Sequence, residues 1–241
     1  MHLDRLLQSQ GFGSRKICRA LIESGAVTVN GEPCDNPRAE LDTTGLTFTV
    51  NDEPWQYREK VYVLLHKPAN VECSRNPQHH RSVLSLLPEP LISRRIQCVG
   101  RLDADTTGLL LLTDDGTWLH ALTSPRRHVP KRYCVTTASP LTEAMLQALL
   151  TGVLLHDETE LLAAQACEEI GPLQLHLTIT QGKYHQVKRM LAAVGNHVTA
   201  LHRDMLGALP LGNLAEGQWR YLTTEEHEQI GQGHSSLQLD R

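Results

Sequence analysis

Four aspartates crowd one short stretch of this chain, GRLDADTTGLLLLTDDG at 100–116. Asp103 and Asp105 follow the strand-like stretch Ile96–Leu102 and precede the apolar run Leu109–Thr113. A carboxylate at a strand end is held by a rigid element yet faces open space, which suits a catalytic group. Aspartate and threonine equally suit a capped turn through local side-chain hydrogen bonds, and residue types alone favour that reading. Other residues able to do chemistry lie downstream. Tyr133 sits among cations in VPKRYCV at 129–135, and Lys183, His185, Lys188 and Arg189 share QGKYHQVKRM at 181–190. His185, His197 and His202 lie in basic stretches where they could touch phosphate, though each alone reads as a surface or satisfied histidine. Cys73, His79 and His80 follow no metal-ligand spacing and have Arg75 and Arg81 around them, so no metal site is expected.

The elements that must position these groups fall into two sets. In the first, Leu3, Leu6 and Leu7 form a helical stripe broken at Gly11 and Gly13. Ser14 can cap a second helix over Arg15–Ser24 that Gly25 ends, with Ile17, Ala20 and Leu21 buried and Arg15, Lys16 and Arg19 facing out. Val27–Val29 reads as a strand, Asn30-Gly31 as a hairpin turn, and Leu46–Val50 as a further strand. The polar stretch NDEPWQYREK at 51–60 reads as a linker. In the second set, strands are expected at Val61–His66, Ile96–Leu102, Leu109–Thr113, Lys131–Thr137 and around Leu173–Ile179, with a turn at Asp114-Asp115-Gly116. Helices are expected at Leu141–Leu150, ended by Gly152, and at Tyr184–Val194, ended by Gly195. Strands outnumber helices without steady βαβ alternation, so the class is α+β with mostly antiparallel pairing.

Composition bounds the rest. The 241 residues are 40% hydrophobic but only 4% aromatic, so the core must be built from aliphatic side chains. No apolar run reaches membrane-spanning length, and the start does not read as a secretory signal. Six cysteines at 18, 34, 73, 98, 134 and 167 stand too far apart to read as a disulfide framework, which points to reduced thiols and the cytoplasm. The net charge of −4 looks wrong for a nucleic-acid binder, but its distribution matters more than its sum. Residues 117–142 carry Arg126, Arg127, Lys131 and Arg132 with no acid, and 170–203 carry Lys183, Lys188, Arg189 and Arg203 with none.

The first 45 or so residues, notably SRKICRALIESGAVTVNGEP, resemble the S4 RNA-binding module. The resemblance implies that Arg15, Lys16 and Arg19 meet RNA phosphates through charge and hydrogen bonds. The remainder resembles the pseudouridine synthases, and most of all the branch acting on small-subunit ribosomal RNA. GRLDADTTGLLLLT matches the central motif, HKPANVECS at 66–74 the opening KP motif, VPKRYCV the basic–Tyr motif and QGKYHQVKRMLAAVGNHV at 181–198 the closing motif. The resemblance implies Asp103 as the catalytic carboxylate, Tyr133 as the ring that stacks on the target base, and Lys188 as the cation beside Asp103. Many relatives have arginine where Lys188 stands, and lysine cannot make the bidentate contact, so Arg189 is the alternative partner. Arg101 could help open the RNA helix, and Arg126, Arg127, Lys131, Arg132, Lys183 and Arg189 complete the expected RNA contacts. Asn70 occupies a place where glycine is frequent, and asparagine tolerates the left-handed turn needed there.

The organisation expected is an S4-like domain over 1–58, a mostly antiparallel catalytic domain over 59–232 and a polar tail over 233–241. The resemblance implies isomerisation of one uridine to pseudouridine in 16S ribosomal RNA, within a partly assembled small subunit. A cytoplasmic monomer with no membrane partner is expected, and a reaction with no redox step and no phosphate transfer needs no cofactor. Three rivals remain. The same chemistry could act on 23S RNA, or the protein could bind RNA without catalysis. DADTT also fits DxDxT, the pattern of magnesium-dependent phosphatases that form an aspartyl-phosphate. That class needs a parallel sheet and a later acidic pair, and the acid-free 170–203 segment speaks against it.

Overall fold

Ser14 begins the second helix as expected, its Oγ accepting a hydrogen bond from Ile17 N at 3.4 Å. The computed structural model describes residues 1–232, so the expected polar tail over 233–241 lies outside the described residues. The chain forms two compact units, one of Met1–Val61 with Leu87–Gln97, the other of Tyr62–Leu86 with Cys98 onward.

In the first unit, helices Leu3–Ser9 and Arg15–Glu23 pack on an antiparallel sheet of order Glu32–Pro33, Val27–Val29, Thr47–Val50, Glu53–Gln56. Asn30 and Gly31, at φ 50° and 88°, make the expected tight turn. Two expectations for this unit are corrected. The helix buries Cys18 and Ile22, whereas Ala20 is exposed, Leu21 half-buried and Ile17 53% exposed. The face is rotated because Cys18 packs as a small hydrophobe, while Ile17 leans over Gly13, where a Cβ would lie 3.2 Å from it. The stretch read as a linker holds the strand Glu53–Gln56, paired from Thr47↔Gln56 to Val50↔Glu53. Asn51 and Asp52 both adopt positive φ and turn the chain back, and Trp55 packs edge-on against Phe12 at 5.3 Å. The chain returns to this unit over 87–97, an excursion that a division at residue 58 does not contain. There Arg94 donates to Gln10 Oε1 at 3.0 Å and to the carbonyls of Arg58 and Glu59 at 2.7 Å each.

The second unit is built on a nine-stranded sheet among the described residues. Its main path runs Ala166–Gly171, Gln174–Ile179, Lys131–Thr137, Val198–Leu206, Thr107–Thr113, Tyr62–Lys67, Trp219–Tyr221. Every neighbour on that path pairs antiparallel except one. Val198–Leu206 meets Thr107–Thr113 in parallel, at His202↔Thr107 and Arg203↔Gly108 alone. Two antiparallel leaves therefore join through a two-residue seam. Gly108 permits the seam: at φ 108°, a Cβ there would sit 2.2 Å from the Arg203 carbonyl oxygen. Leu64, Leu109 and Leu111 are fully buried around it with Val129 and Leu206.

The fold is α+β. Helix Glu143–Thr151 is capped by Thr142 and ended by Gly152, and helix Gln186–Ala193 starts two residues later than expected. The turn expected at 114–116 is corrected to a helix start. Asp115 accepts hydrogen bonds from Thr117 N at 2.9 Å and Trp118 N at 3.1 Å, capping helix Gly116–Thr123. No helix among the described residues is long and apolar enough to cross a membrane.

Candidate active site

The loop from Gly100 to Thr106 carries the aspartates between two strands of the second unit. Leu102 anchors it in the core, and Thr106 N donates to Asp103 O at 3.1 Å, closing a turn. Beneath it lies Lys67, fully buried, whose Nζ donates to the carbonyls of Pro68 at 2.9 Å, Ala104 at 3.0 Å and Thr106 at 2.8 Å. Three carbonyls satisfy all three ammonium protons, so the loop is tied from below at both sides of Asp105. Burial pulls the Lys67 pKa down, and the negative groups around it, Asp105 and Asp103 among them, offset only part of that. Asn70 follows in the left-handed conformation at φ 58°, the turn that the glycine-like position requires.

Opposite the loop stands the start of helix Gln186–Ala193. Lys188 Nζ lies 3.2 Å from Asp103 Oδ2, and 2.7 and 2.9 Å from the Asp105 oxygens. Burial lowers the Lys188 pKa, but Asp105 and Asp103 more than compensate and hold it above the ordinary lysine value. Burial likewise raises Asp105, while the Lys188 contact carries it below the ordinary carboxylate value. The second Asp103 oxygen, Oδ1, is 3.3 Å from His185 Nε2. His185 is left-handed at φ 47°, and the exposed Tyr184 ring stacks on it at 3.8 Å. Each oxygen of Asp103 thus has a nitrogen within 3.3 Å, in a side chain still 30% exposed.

A pocket of about 420 Å³ opens beside this cluster, lined by Asp103, Lys188, His185, Tyr133, Lys131 and Arg203 among others. The 131–137 strand alternates, so Lys131 and Tyr133 face the pocket while Arg132 faces away. Arg132 makes a bidentate pair with Asp204, with Nε at 3.1 Å from both oxygens and Nη2 at 2.8 Å. Its guanidinium is paired within the protein.

The three residues expected to be catalytic, Asp103, Tyr133 and Lys188, therefore come together in one cleft. Of the expected RNA contacts, Arg101, Lys131 and Lys183 line the same pocket, Lys183 also bonding Glu158 at 2.9 Å. Arg126 and Arg127 lie exposed in the short turn Pro125–Arg127. Arg189 donates to the carbonyls of Tyr184 and His156, and Lys188 is the residue that pairs with Asp103. In the first unit, Arg15 and Arg19 remain nearly half exposed but share one oxygen of the buried Asp4, at 3.3 and 2.9 Å. Lys16 beside them is exposed. Two pocket residues were not singled out from sequence, His185 as a partner of Asp103 and Arg203. The signal for His185 was its place three residues before Lys188, one helical turn away. Arg203 had none, because a buried arginine in an alternating strand departs from the usual burial of that residue type.

With the cleft defined, its relatives give the class. The model of the S4 domain matches residues 1–45, and the model described as RNA pseudouridylate synthase matches 61–193. The chain is 42% identical over 233 residues to the ribosomal small subunit pseudouridine synthase A of Salmonella typhimurium, covering 96% of this chain and all of that one. It is 42% identical over 228 residues to the protein of the same name in Escherichia coli K12, covering 94% and 98%. A solved structure of a pseudouridylate synthase matches with a TM-score of 0.68 and 36% identity, over 95% of this chain and 99% of that one. The chain belongs to the RNA pseudouridylate synthases. That membership, with the antiparallel leaves, removes the phosphatase reading of DADTT.

Proposed function

We propose that this protein converts one uridine of 16S ribosomal RNA to pseudouridine, with Asp103 as the catalytic carboxylate. The observation that carries this reading is the cluster of Asp103, Lys188 and His185 on the wall of a pocket that Tyr133 also lines and that is large enough for a nucleotide base. The target base must leave its stack to reach that pocket, at a cost of a few kcal/mol that is least in loops and bulges. Stacking on an aromatic ring such as Tyr133 returns roughly 1–3 kcal/mol. Lys188 Nζ, 3.2 Å from Asp103 Oδ2, sets a positive charge beside the carboxylate that acts as nucleophile or base. The base is detached from the sugar, turned and rejoined through carbon, a rearrangement with no redox step and no phosphate transfer. The names of the relatives support the small-subunit target. Reachability of the uridine favours RNA in a partly assembled subunit. Reduced, widely spaced cysteines support a cytoplasmic enzyme.

The test is tritium release from RNA labelled at uracil C5, since forming the carbon–carbon bond displaces that hydrogen. Small-subunit RNA, naked and protein-bound, is compared with large-subunit RNA. One modified site in the small-subunit RNA, lost in Asp103→Asn while RNA affinity persists, is the expected result. Modification of large-subunit RNA alone moves the target to 23S, and binding without any modification leaves a non-catalytic RNA-binding protein.

A further inference from the structure

Arg203 is a charged side chain only 2% exposed, on the pocket wall, and makes no ion pair with a carboxylate among the described residues. Its Nε donates to Leu109 O at 2.8 Å, but the buried Nη2 meets no acceptor among the described residues. The strand register explains where it points. Tyr133 pairs directly with Arg203 across the 131–137 and 198–206 strands, so the two side chains share one face of the sheet. Lys131, two residues before Tyr133, lies on the same face and also lines the pocket. Its Nζ uses the carbonyls of Val129 at 2.8 Å and Thr180 at 3.3 Å, leaving one of three ammonium protons. Burial, with the charge of Arg203 adding to it, brings the Lys131 pKa down to about 8. Two cations are therefore held on the same pocket wall as the tyrosine.

A buried, incompletely paired guanidinium is costly unless a ligand supplies the acceptor. The ligand group that reaches it is set by chain continuity. The phosphates of a flipped nucleotide stay with the strand at the pocket mouth, and the base is what goes deepest. Resting on the proposed function above, we propose that Arg203, backed by Lys131, binds O4 of the target uracil and sets the preference for uracil over cytosine. Uracil offers acceptors at O2 and O4, whereas cytosine puts an amino donor at C4, facing donors. A site built to hydrogen-bond one group rejects the analogue lacking it far better than a pocket of mere shape. The same cations serve the reaction. When the base–sugar bond breaks, its electron pair stays with the base, and the charge spreads to O2 and O4, where fixed donors stabilise it.

The test uses the full-length protein and small-subunit RNA assembled by ligation, so that the mapped uridine is replaced singly. The replacements are pyrimidin-2-one ribonucleoside, which lacks O4, 2-thiouridine, and cytidine. The native protein should bind the cytidine and pyrimidin-2-one RNAs about tenfold more weakly than the uridine RNA, the range for a hydrogen bond to a charged group, with 2-thiouridine closer to uridine. Arg203→Lys, checked by its melting temperature, should shrink those differences to less than about threefold and lower kcat/KM on unaltered RNA. Equal binding of all four RNAs by the native protein overturns the proposal, whether or not the variant folds. A folded variant that keeps full discrimination, or weakens all RNAs alike, also overturns it. Absence of pseudouridine with native protein and unaltered RNA instead sinks the functional reading on which the proposal rests.

Discussion

Lys188 does with a compact ammonium what a guanidinium fork would do differently. A fork grips one carboxylate bidentately, whereas this ammonium reaches both Asp103, at 3.2 Å, and Asp105, at 2.7 Å. Asp105 is therefore a positioning residue: it holds the lysine where Asp103 needs it. Lys188→Met should lower kcat by about 10–100-fold, the worth of one charge-assisted hydrogen bond, with little change in RNA affinity. Single-turnover rates against filter-binding constants would separate the two. Asp105→Asn should leave turnover at neutral pH within about threefold, because the Asp103 contact remains. The pH dependence has a definite sign. The Lys188 pKa is raised in the folded protein, so its pairing is intact below the ordinary lysine value of 10.5 and is lost only as pH rises through the higher folded value. In Asp105→Asn the Lys188 pKa falls, so the alkaline limb of the kcat profile should move to lower pH. An unmoved limb would mean that Lys188 does not govern it.

Elements set these distances, and the two-residue parallel seam is the most exacting of them. Gly108→Ala would place a methyl group 2.2 Å from a backbone oxygen at a backbone angle that L-residues avoid. It should cost roughly 2–5 kcal/mol in urea unfolding, and the folded fraction should lose activity because the seam aligns the Asp103 loop with Arg203 and Tyr133. One side of that seam was legible and the other was not: Val198–Leu206, whose sequence VTALHRDML mixes polar and apolar residues, was not expected as a strand. Thr107–Thr113 is a continuous buried run, and Leu175, Leu177 and Ile179 alternate cleanly. Two of the elements that escaped were short and polar. Glu53–Gln56 hides behind a turn of Asn51 and Asp52 rather than glycine, and contains Pro54, which an edge strand tolerates. Helix Gly116–Thr123 begins at a glycine, so Asp115 read as a turn rather than a cap. In the site, Asp103, Tyr133 and Lys188 were legible through motif resemblance. Arg203 and the His185 contact depend on pairing register and on one left-handed residue, which tertiary structure alone supplies.

For the whole molecule the question is how a chain of net charge −4 holds RNA. Part of the answer is that its cations are not all equally available. In the first unit, Arg15, Lys16 and Arg19 bring three positive charges, but Asp4 beneath them takes back one, leaving a net of two. Burial raises the Asp4 pKa, yet its contacts with Arg19 and Arg15 hold it below the ordinary value. That pairing therefore stabilises the unit above the unfolded carboxylate pKa and is lost as pH falls through the folded one. The availability of each cation can be read from salt dependence, since each neutralised phosphate contributes about 0.7–0.9 to the slope of log affinity against log salt. Lys16→Gln should flatten that slope by close to the full contribution, and Arg15→Gln or Arg19→Gln by less, because each already shares Asp4. Asp4→Asn should act in the opposite sense, freeing both guanidinium groups and steepening the slope while lowering the unit's stability. If instead all three single neutralisations leave the slope unchanged, the first unit is not where this protein meets phosphate. The cations around the catalytic cleft would then have to account for binding alone.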